Sequence, residues 1–436
     1  MSQAIDINVH HVTRVEGHGN IVVKAKDGVV EKVEWQVPEA PRFFEAMVRG
    51  RSWQDLQTIT SRICGICSIS HSLTSVKATE DAMGIEVSEQ THKLRLLTHC
   101  SEQLQSHSLH VGYLVAPDLL GVKSVVPLVA SHPDVVKTII RIHRVSNRWS
   151  DLLGGRTTHP VTLVPGGHLM PFSEADLLEL KKTIEEVTVP DLKALADVIL
   201  SLADKLPAFD RPTEYIALTY PDYYTFYDGD IGSTDTDEKV PVQKFESVAN
   251  EYVSPQSTAK FSKWHRDAYA VGALARFNIN AEKLLPLATA TAMKLGLEKG
   301  ACNPYMNNVA QVVECVQVCE HGIQLIDELL SKGLKPEKPD FKVKAGTGVG
   351  CVEAPRGILF HKYTYDENGN CLSANCCIPT NQNHSNIQKD FEALVPQMIE
   401  RKQSQDEIRL WLEMLVRSYD PCISCSAHFL DVKFVQ

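Results

Sequence analysis

Two short cysteine motifs, one near each end of the chain, constrain its fold more than any other feature. The first reads RICGICSISHS at residues 62–72, and the second reads YDPCISCSAHF at residues 419–429. Each contains a CxxC pair followed by a histidine, and Cys67 and Cys422 are 355 positions apart. A zinc knuckle or ribbon keeps its two pairs within about 20 residues of each other. If both pairs bind one ion, the whole chain must fold so that its two ends meet around a buried metal.

The local sequence predicts how each pair is presented. A CxxC spacing places two sulfurs on one side of a helical turn or tight loop, within reach of one ion. Cys64 and Cys67 precede a helical pattern, and the dipole and free N–H groups of a helix N-terminus favour thiolates. Pro421 ends the preceding helix and fixes the turn that presents Cys422 and Cys425. Spacing alone leaves an alternative open, in which the two units are unrelated structural zinc sites or free thiols.

Composition favours a large intracellular protein. The 436 residues are 43% hydrophobic, which is enough for a large core, and the formal net charge is −10 without any basic block. Nucleic acid and anionic membranes are therefore not expected as partners. The sequence has no signal-peptide pattern and no run of about 18 apolar residues, so we expect no membrane span. We predict the cytoplasm, where paired CxxC units bind metal or do redox work, although a subunit can also be exported on a partner's signal.

Periodicity predicts a mainly α fold with small β-ribbons, in the α+β class, and one domain over residues 1–436. An N-terminal ribbon with a turn at Asp27–Gly28 is followed by a helical core. Within that core we predict helices over 174–204, with Ser173 as N-cap, and over 262–298 and 305–332. The predicted segments are a ribbon at 1–40, a helical core at 41–350 with an aromatic-rich surface excursion at 207–260, a ribbon at 351–385 around a hairpin at 357–379, C-terminal helices at 386–428 with the last at 406–419, and a tail at 429–436.

Six motifs along the chain resemble those of one known family. RxCGxCxxxH and DPCxxCxxH together resemble the signature of the nickel–iron hydrogenase large subunit. The other four motifs follow the family's order: RVEGHGN from residue 14 precedes the first cysteine motif, and GGRTTHPVTLVPGG from 154, EAPRGILFH from 353 and CCIPTNQN from 376 lie between the two. The resemblance implies that family's fold, a central helical bundle with the metal site buried between N- and C-terminal segments. It also implies reversible heterolytic cleavage of dihydrogen to protons and electrons.

The resemblance assigns the four motif cysteines to a nickel–iron centre whose iron carries carbon monoxide and cyanide. Cys64 and Cys422 would be terminal nickel ligands, and Cys67 and Cys425 would bridge nickel to iron. Soft sulfur ligands suit both metals. His71 would donate a hydrogen bond to a bridging sulfur and tune its electron density.

The resemblance also implies a set of polar groups around the metals. Glu16 would be a proton gate beside a terminal thiolate such as Cys422, because heterolytic cleavage releases a proton that needs a base. Without the motif, a lone glutamate in a strand is better explained as a surface carboxylate. Arg356, which is always charged, would lie over the iron and face the cyanides. Pro355 would help to hold it, and Asp420 could pair with it.

One departure from the family pattern bears on the sub-branch. Many members carry an aspartate in a DH pair on the long helix, whereas this chain has Ser106–His107. The SHxLH…PD pattern resembles the cytoplasmic, bidirectional branch linked to NAD(P) or ferredoxin. The alternative within the family is a hydrogenase that feeds a heterodisulfide reductase or a deazaflavin. Rivals from other classes are a four-cysteine zinc protein and a complex I-like quinone-site subunit, a class that has lost these cysteines.

A second, smaller metal site is implied by the same resemblance. Its ligands would be Glu45, His428 and the backbone carbonyl of Cys376, and the ion would be magnesium or iron(II) with water completing an octahedron. Seven other cysteines have no metal-binding spacing, so we expect no iron–sulfur cluster here; they are Cys100, Cys302, Cys315, Cys319, Cys351, Cys371 and Cys377.

Electrons must leave a buried site, so an iron–sulfur small subunit is implied as an obligate partner. The sequence has no GxGxxG after a strand and no P-loop, so flavin and nucleotide chemistry would belong to further electron-transfer or diaphorase subunits. The tail FLDVKFVQ, residues 429–436, is either a precursor segment removed by a maturation protease or a retained strand.

Overall fold

The computed structural model describes residues 4–427. His428 and the tail at 429–436 lie outside the described residues. The described part is mainly helical with several small sheets, which confirms the predicted α+β class. Its strands are β1 (Ile5–Val9), β2 (Asn20–Lys26), β3 (Val29–Gln36), β4 (Leu163–Val164), β5 (Gly167–His168), β6 (Glu214–Thr219), β7 (Asp230–Ser233), β8 (Asn250–Tyr252), β9 (Phe261–Lys263), β10 (Tyr269–Ala270), β11 (Gly346–Ala354), β12 (Gly357–Tyr365) and β13 (Cys371–Cys377).

The helices include a central group of long ones, and several continue into short 3₁₀ or π segments. No helix between residues 4 and 427 is both long and apolar enough to cross a membrane. The α-helices are α1 (Phe44–Val48), α2 (Trp53–Thr60), α3 (Ser68–Met83), α4 (Glu89–Leu109), α5 (Ala116–Leu119), α6 (Leu128–Ser131), α7 (Pro133–Gly154), α8 (Glu174–Thr183), α9 (Val189–Leu200), α10 (Ala273–Asn280), α11 (Pro286–Lys294), α12 (Asn307–Lys332), α13 (Pro379–Glu400), α14 (Gln405–Ser418) and α15 (Ile423–Ser426).

The N-terminal ribbon forms as predicted. Strands β1, β2 and β3 pair antiparallel in sequence order, and the turn at Asp27–Gly28 has positive φ at both residues. Buried and exposed residues alternate along β2, which puts its apolar side chains on the core face. Trp35 of β3 is fully buried, and its indole N–H donates to Nδ1 of His384 in α13 at 3.0 Å. The ribbon is thereby fixed to the C-terminal helices.

The centre of the molecule is the long helix α4, which packs between α7 and α12. Its buried side chains include Leu97 and Leu104, which join one large apolar cluster with residues of both neighbours. The helix continues into a π segment at His110–Val115. Such segments often occur at functional sites, and in this one Nε2 of His110 lies 2.7 Å from the carbonyl oxygen of Arg417, near the C-terminal motif.

A second sheet, β11–β12–β13, lies against α3. A β-carbon built on any of three alternate glycines of β11, Gly346, Gly348 or Gly350, would fall within about 2 Å of the backbone of α3. Glycine at these positions therefore permits the strand to lie directly on the helix. Ala354 pairs with Gly357, so a two-residue turn of Pro355 and Arg356 joins β11 to β12.

Several predicted boundaries were wrong. The ribbon predicted at 351–385 begins at Gly346 and ends at Cys377, and α13 begins at Pro379, a residue well suited to a first helical position. The C-terminal helices thus begin before residue 386. The helix predicted over 262–298 starts only after Gly272, whose φ is 120°, and is broken again at Pro286.

The surface excursion predicted for 207–260 was also wrong. Its strand β6 is almost wholly buried, and Tyr224, Phe226 and Tyr227 are each under 5% exposed. These rings remove a large apolar area from water, and the Tyr224 hydroxyl donates to Glu314 at 2.6 Å. The predicted N-cap was correct, because Ser173 forms a reciprocal capping box with Asp176 at the start of α8.

Candidate metal centre

The two CxxC pairs meet at one buried point. The Sγ atoms of Cys64, Cys67, Cys422 and Cys425 all lie within 4.8 Å of one another, and all four residues are buried. The sulfurs of Cys64 and Cys422 are 3.4 Å apart. The sulfurs of Cys422 and Cys425 are in direct contact, and a metal would bind both as thiolates.

The N-terminal pair is held by the start of α3. Cys67 occupies the N-cap position of this helix, and the backbone N–H groups of Ile66 and Cys67 point at the Cys64 sulfur at 3.3 and 3.4 Å. The pKa of the Cys64 thiol is lowered, first by its hydrogen bond with Cys67 and also by the positive charge of Arg356, against the effect of burial. Backbone dipoles and one arginine thus favour a thiolate here.

The carboxyl group of Glu102 caps the first turn of the same helix. It accepts hydrogen bonds from the backbone N–H groups of Ile69 at 2.6 Å and Ser70 at 2.9 Å, and it also contacts the Ser70 hydroxyl. Burial raises the pKa of Glu102 to about 8.

The C-terminal pair is held mainly by distant residues. It lies at the start of α15, a single helical turn. The backbone N–H of Cys422 donates to the Thr380 hydroxyl at 2.9 Å, and Glu16 forms a parallel β-bridge with Cys422. The backbone N–H of Ile423 donates to the Glu16 carbonyl at 3.0 Å.

Glu16 also places its side chain against the sulfurs. Its Oε2 atom lies 3.2 Å from the Sγ of Cys422 and accepts a hydrogen bond from the backbone N–H of Ser424 at 3.0 Å. The Ser424 hydroxyl donates to the other carboxylate oxygen. Glu16 is half-buried, so it lies between the sulfur group and the surface.

Arg356 and Asp420 form a buried ion pair beside the sulfurs. The Nε and Nη2 atoms of Arg356 donate to Oδ1 of Asp420 at 3.1 and 2.9 Å, and Nε also reaches the Asp420 carbonyl at 2.6 Å. Gln311 donates to the other carboxylate oxygen at 3.0 Å. Burial alone would lower the pKa of Arg356, but Asp420 and the thiols raise it, so the group stays charged. Its Nη1 atom is buried and has no hydrogen-bond partner among residues 4–427.

The remaining predicted residues are placed as follows. His71 lies on the first turns of α3, and its Nδ1 is 3.1 Å from Nε2 of His361. Pro355 is buried in the turn that carries Arg356. The carboxylate of Glu45 accepts the backbone N–H of Cys376 at 2.8 Å, so two of the three predicted ligands of the second metal lie together. The third, His428, is outside the described residues.

The chemistry of the donor set fits a nickel–iron centre. Four sulfurs in one buried group suit a soft metal, and on that ground alone zinc would fit as well. A structural zinc ion, however, needs neither a carboxylate against one sulfur nor a buried guanidinium with a free N–H beside the group. The unpartnered Nη1 of Arg356 calls for an acceptor there, because a buried donor without a partner is costly.

Sequence reasoning missed several residues that build the site, namely Glu102, Gln311 and Ser424. Ser424 lies inside the second CxxC, so its place in the motif was a usable signal. Glu102 and Gln311 lie on long helices far along the chain from the cysteines, and no local pattern connects them to the site.

Comparisons with known proteins agree with this geometry. A family described as nickel-dependent hydrogenase matches residues 42–137 and 224–428, and one described as HoxL-like matches residues 6–40. The chain is similar to sulfhydrogenase 1 subunit alpha of Pyrococcus furiosus, with 33% identity over 97% of this chain and 98% of that protein. It is similar to the NAD-reducing hydrogenase HoxS subunit beta of Cupriavidus necator, with 28% identity over 96% of this chain and 94% of that protein. Among solved structures, an NAD+-reducing [NiFe]-hydrogenase in the H2-reduced state matches with a TM-score of 0.86 and 25% identity, covering 97% of this chain and 99% of that one.

Proposed function

This chain belongs to the nickel-dependent hydrogenase family, as the catalytic large subunit of a nickel–iron enzyme acting on hydrogen, and from that premise we propose how its own residues serve the reaction. The observation that carries the proposal is the group of four buried sulfurs with the Glu16 carboxylate and the Arg356 guanidinium beside it. When bound, a nickel–iron centre with carbon monoxide and cyanide on iron supplies the metals at which dihydrogen is split.

The four cysteines would hold the centre, with Cys64 and Cys422 as the terminal nickel ligands and Cys67 and Cys425 as the bridging ones. Binding requires thiolates at all four positions. The N–H groups that point at Cys64 and the charge of Arg356 stabilise the negative charge that four thiolates bring together.

Glu16 moves the proton. In the direction of hydrogen oxidation, the proton released by heterolytic cleavage is held at the Cys422 sulfur and passes to Oε2 of Glu16, 3.2 Å away. The Ser424 hydroxyl and N–H orient the carboxylate for this transfer. Because Glu16 is half-buried, it can pass the proton on towards water.

Arg356 would orient the diatomic ligands of a bound centre. Asp420 fixes two of its nitrogens, which leaves the buried Nη1 able to donate to a cyanide there. His71 would hydrogen-bond a bridging sulfur, and Pro355 restricts the turn. Glu45, the Cys376 carbonyl and His428 would hold magnesium or iron(II) as the second metal.

Electrons leave through an iron–sulfur small subunit towards NAD(P) or ferredoxin, in the cytoplasm. The Cys64–Cys67 loop is the natural exit, because Gly65 is exposed at its tip while the sulfurs beneath it are buried. Arg62 beside this loop is charged and exposed. Phe43 and Met47 are half-exposed before and on α1, whose Phe44 packs in one apolar cluster with Cys64 and Cys67. Aromatic and methionine side chains are enriched at protein interfaces.

Metal analysis with infrared spectroscopy of the protein purified with its partner subunits tests the proposal. We expect about one nickel per chain, iron, and infrared bands of metal-bound carbon monoxide and cyanide. Zinc alone, without those bands, would show a structural zinc protein instead. Absence of any metal at the four sulfurs, together with no hydrogen uptake, would place the chain with subunits that have lost the activity.

A further inference from the structure

A second buried arginine lies behind the turn that carries Arg356. Arg276 is on α10 and is fully buried. Its Nη1 donates to the carbonyl of Ala354 at 3.0 Å, and its Nη2 donates to the carbonyl of Pro355 at 3.0 Å. These are the two carbonyls that directly precede Arg356 in the β11–β12 turn.

Arg276 is itself held rigidly. Its Nε and Nη2 donate to the two carboxylate oxygens of Glu314, both at 2.7 Å, and Nη1 donates to Glu353 at 2.9 Å. Glu314 is fixed in turn by His107 at 2.8 Å and by the Tyr224 hydroxyl at 2.6 Å. A bidentate guanidinium–carboxylate pair of this kind sets orientation as well as distance.

The same helix is tied to the segment that carries Asp420. Asn307 accepts the backbone N–H of Leu274 at 2.9 Å and donates to the carbonyl of Ser418 at 2.7 Å. Helix α10 therefore contacts both sides of the Arg356–Asp420 ion pair: the turn before Arg356 through Arg276, and the segment before Asp420 through Asn307.

We propose that Arg276 is a positioning residue that fixes the Arg356 turn, so that the free N–H of Arg356 is aimed into the sulfur group. The inference rests on the proposed function, in which Arg356 faces ligands of the iron. A lysine at position 276 has one nitrogen and cannot bind Glu314 in the bidentate manner while also reaching two carbonyls. A displacement of about 1 Å at a reacting group can cost on the order of a hundredfold in rate.

The chain offers a matched control in Arg95. This arginine is also fully buried, pairs with both carboxylate oxygens of Glu80 at 2.9 and 2.6 Å, and donates to two carbonyls, those of Val164 and Gly167. Arg95→Lys removes the same kind of buried contact as Arg276→Lys, but at a turn that carries no site residue.

The test uses the holoenzyme with its partner subunits. We expect Arg276→Lys to shift the cyanide infrared bands and to lower turnover tenfold to about a hundredfold, with nickel content unchanged. We expect Arg95→Lys to leave the bands in place. Because Arg276 acts through Arg356, adding Arg276→Lys to Arg356→Lys should produce no further band shift.

Additive band shifts in the double variant, or equal effects of Arg276→Lys and Arg95→Lys, would overturn the inference. If Arg276→Lys fails to fold, Glu314→Gln replaces it, because this change weakens the contact that holds Arg276. Glu314→Gln is then combined with Arg356→Lys, and the same two outcomes decide the test. Wild-type enzyme without cyanide bands would instead defeat the proposed function, so the two failures are distinct.

Discussion

The two CxxC pairs read alike in the sequence but are held in place by different means. Cys64 and Cys67 immediately precede a 16-residue helix, with Cys67 as its N-cap, so their position follows from local backbone geometry and from one carboxyl group, that of Glu102. Cys422 and Cys425 begin a four-residue helix that could not form alone, and their anchors are Glu16 and Thr380.

This difference determines which substitutions are expected to damage the site. Substitutions around the N-terminal pair are expected to act through α3 and its first turn. Substitutions that disturb the C-terminal pair can lie anywhere along the chain, because that pair is defined by tertiary contacts. The two pairs should nevertheless be equivalent at the metal, because each supplies one terminal and one bridging sulfur in the proposed centre.

The largest expected effect is that of losing a bridging cysteine, and it tests whether the two pairs are equivalent at the metal. We predict that Cys425→Ser abolishes dihydrogen turnover and assembly of the two-metal centre, because a serine oxygen does not replace a bridging thiolate. Cys67→Ser, the matched change in the other pair, should do the same. Nickel and iron content per chain and hydrogen uptake measure both effects. Activity near wild type in either variant would remove that cysteine from the ligand set.

The next effect concerns the carboxylate that only the C-terminal pair contacts. We predict that Glu16→Gln lowers hydrogen–deuterium exchange by on the order of a hundredfold to ten-thousandfold with nickel still bound, since an amide cannot accept the proton. Glu31→Gln, at an exposed carboxylate on β3, is the control and should retain exchange. An exchange rate unchanged by Glu16→Gln would exclude Glu16 from the proton path.

At the N-terminal pair, the corresponding carboxyl group is that of Glu102, and its titration should make the stability of the fold depend on pH. The pKa of Glu102 is about 8 in the fold against 4.5 when exposed, so the native state keeps a proton that the unfolded chain has released. Stability should therefore fall as pH rises from 4.5 to 8, on the order of a few kcal/mol. Glu102→Gln cannot titrate and should lose this slope, although it also loses a hydrogen bond at every pH. Thermal midpoints of both proteins at pH 5 and 8.5 measure it; parallel slopes would contradict the assignment.

A smaller effect is expected where Thr380 meets the C-terminal pair. Thr380→Val keeps the shape but leaves the buried N–H of Cys422 without its acceptor, which costs roughly 1–3 kcal/mol. The free energy of unfolding and nickel retention should both fall. Thr74→Val is the matched control on α3, because the Thr74 hydroxyl only donates to the carbonyl of Ser70 within the helix. Equal losses in the two variants would mean that Thr380 has no special role at the metal site.

The sequence predicted those parts of the site whose residues lie within contiguous motifs. The N-terminal ribbon and the hairpin before Cys377 could be predicted from alternation and turn residues. The convergence of the cysteines was predicted from the resemblance of the motifs to a known family, because spacing alone left an alternative open. What the sequence could not provide was the clamp of Arg276 on Glu314, because residues 38 positions apart on different helices meet only through tertiary packing. The predicted start of strand β11 lay too far along the chain for a related reason. Its alternate glycines are poor strand formers, and only the contact with α3 explains them.

The last comparison concerns a glycine near each pair, and the substitution at the N-terminal pair has the smallest expected effect. A β-carbon on Gly65 would meet no atom of residues 4–427 within 4 Å, whereas one on Gly17, where φ is 81°, would lie 2.7 Å from the backbone N of Ser424 and 2.8 Å from Ile423. Gly65→Ala should therefore change the free energy of unfolding by less than about 0.5 kcal/mol, as an ordinary surface substitution does. Gly17→Ala should destabilise the fold and displace Glu16 from the sulfurs, since the left-handed backbone and the close contact both oppose a side chain. Thermal unfolding and nickel content of the two variants measure the contrast. A tolerated Gly17→Ala with a damaging Gly65→Ala would reverse the comparison, and would mean that the N-terminal pair depends on its surface loop more than on α3.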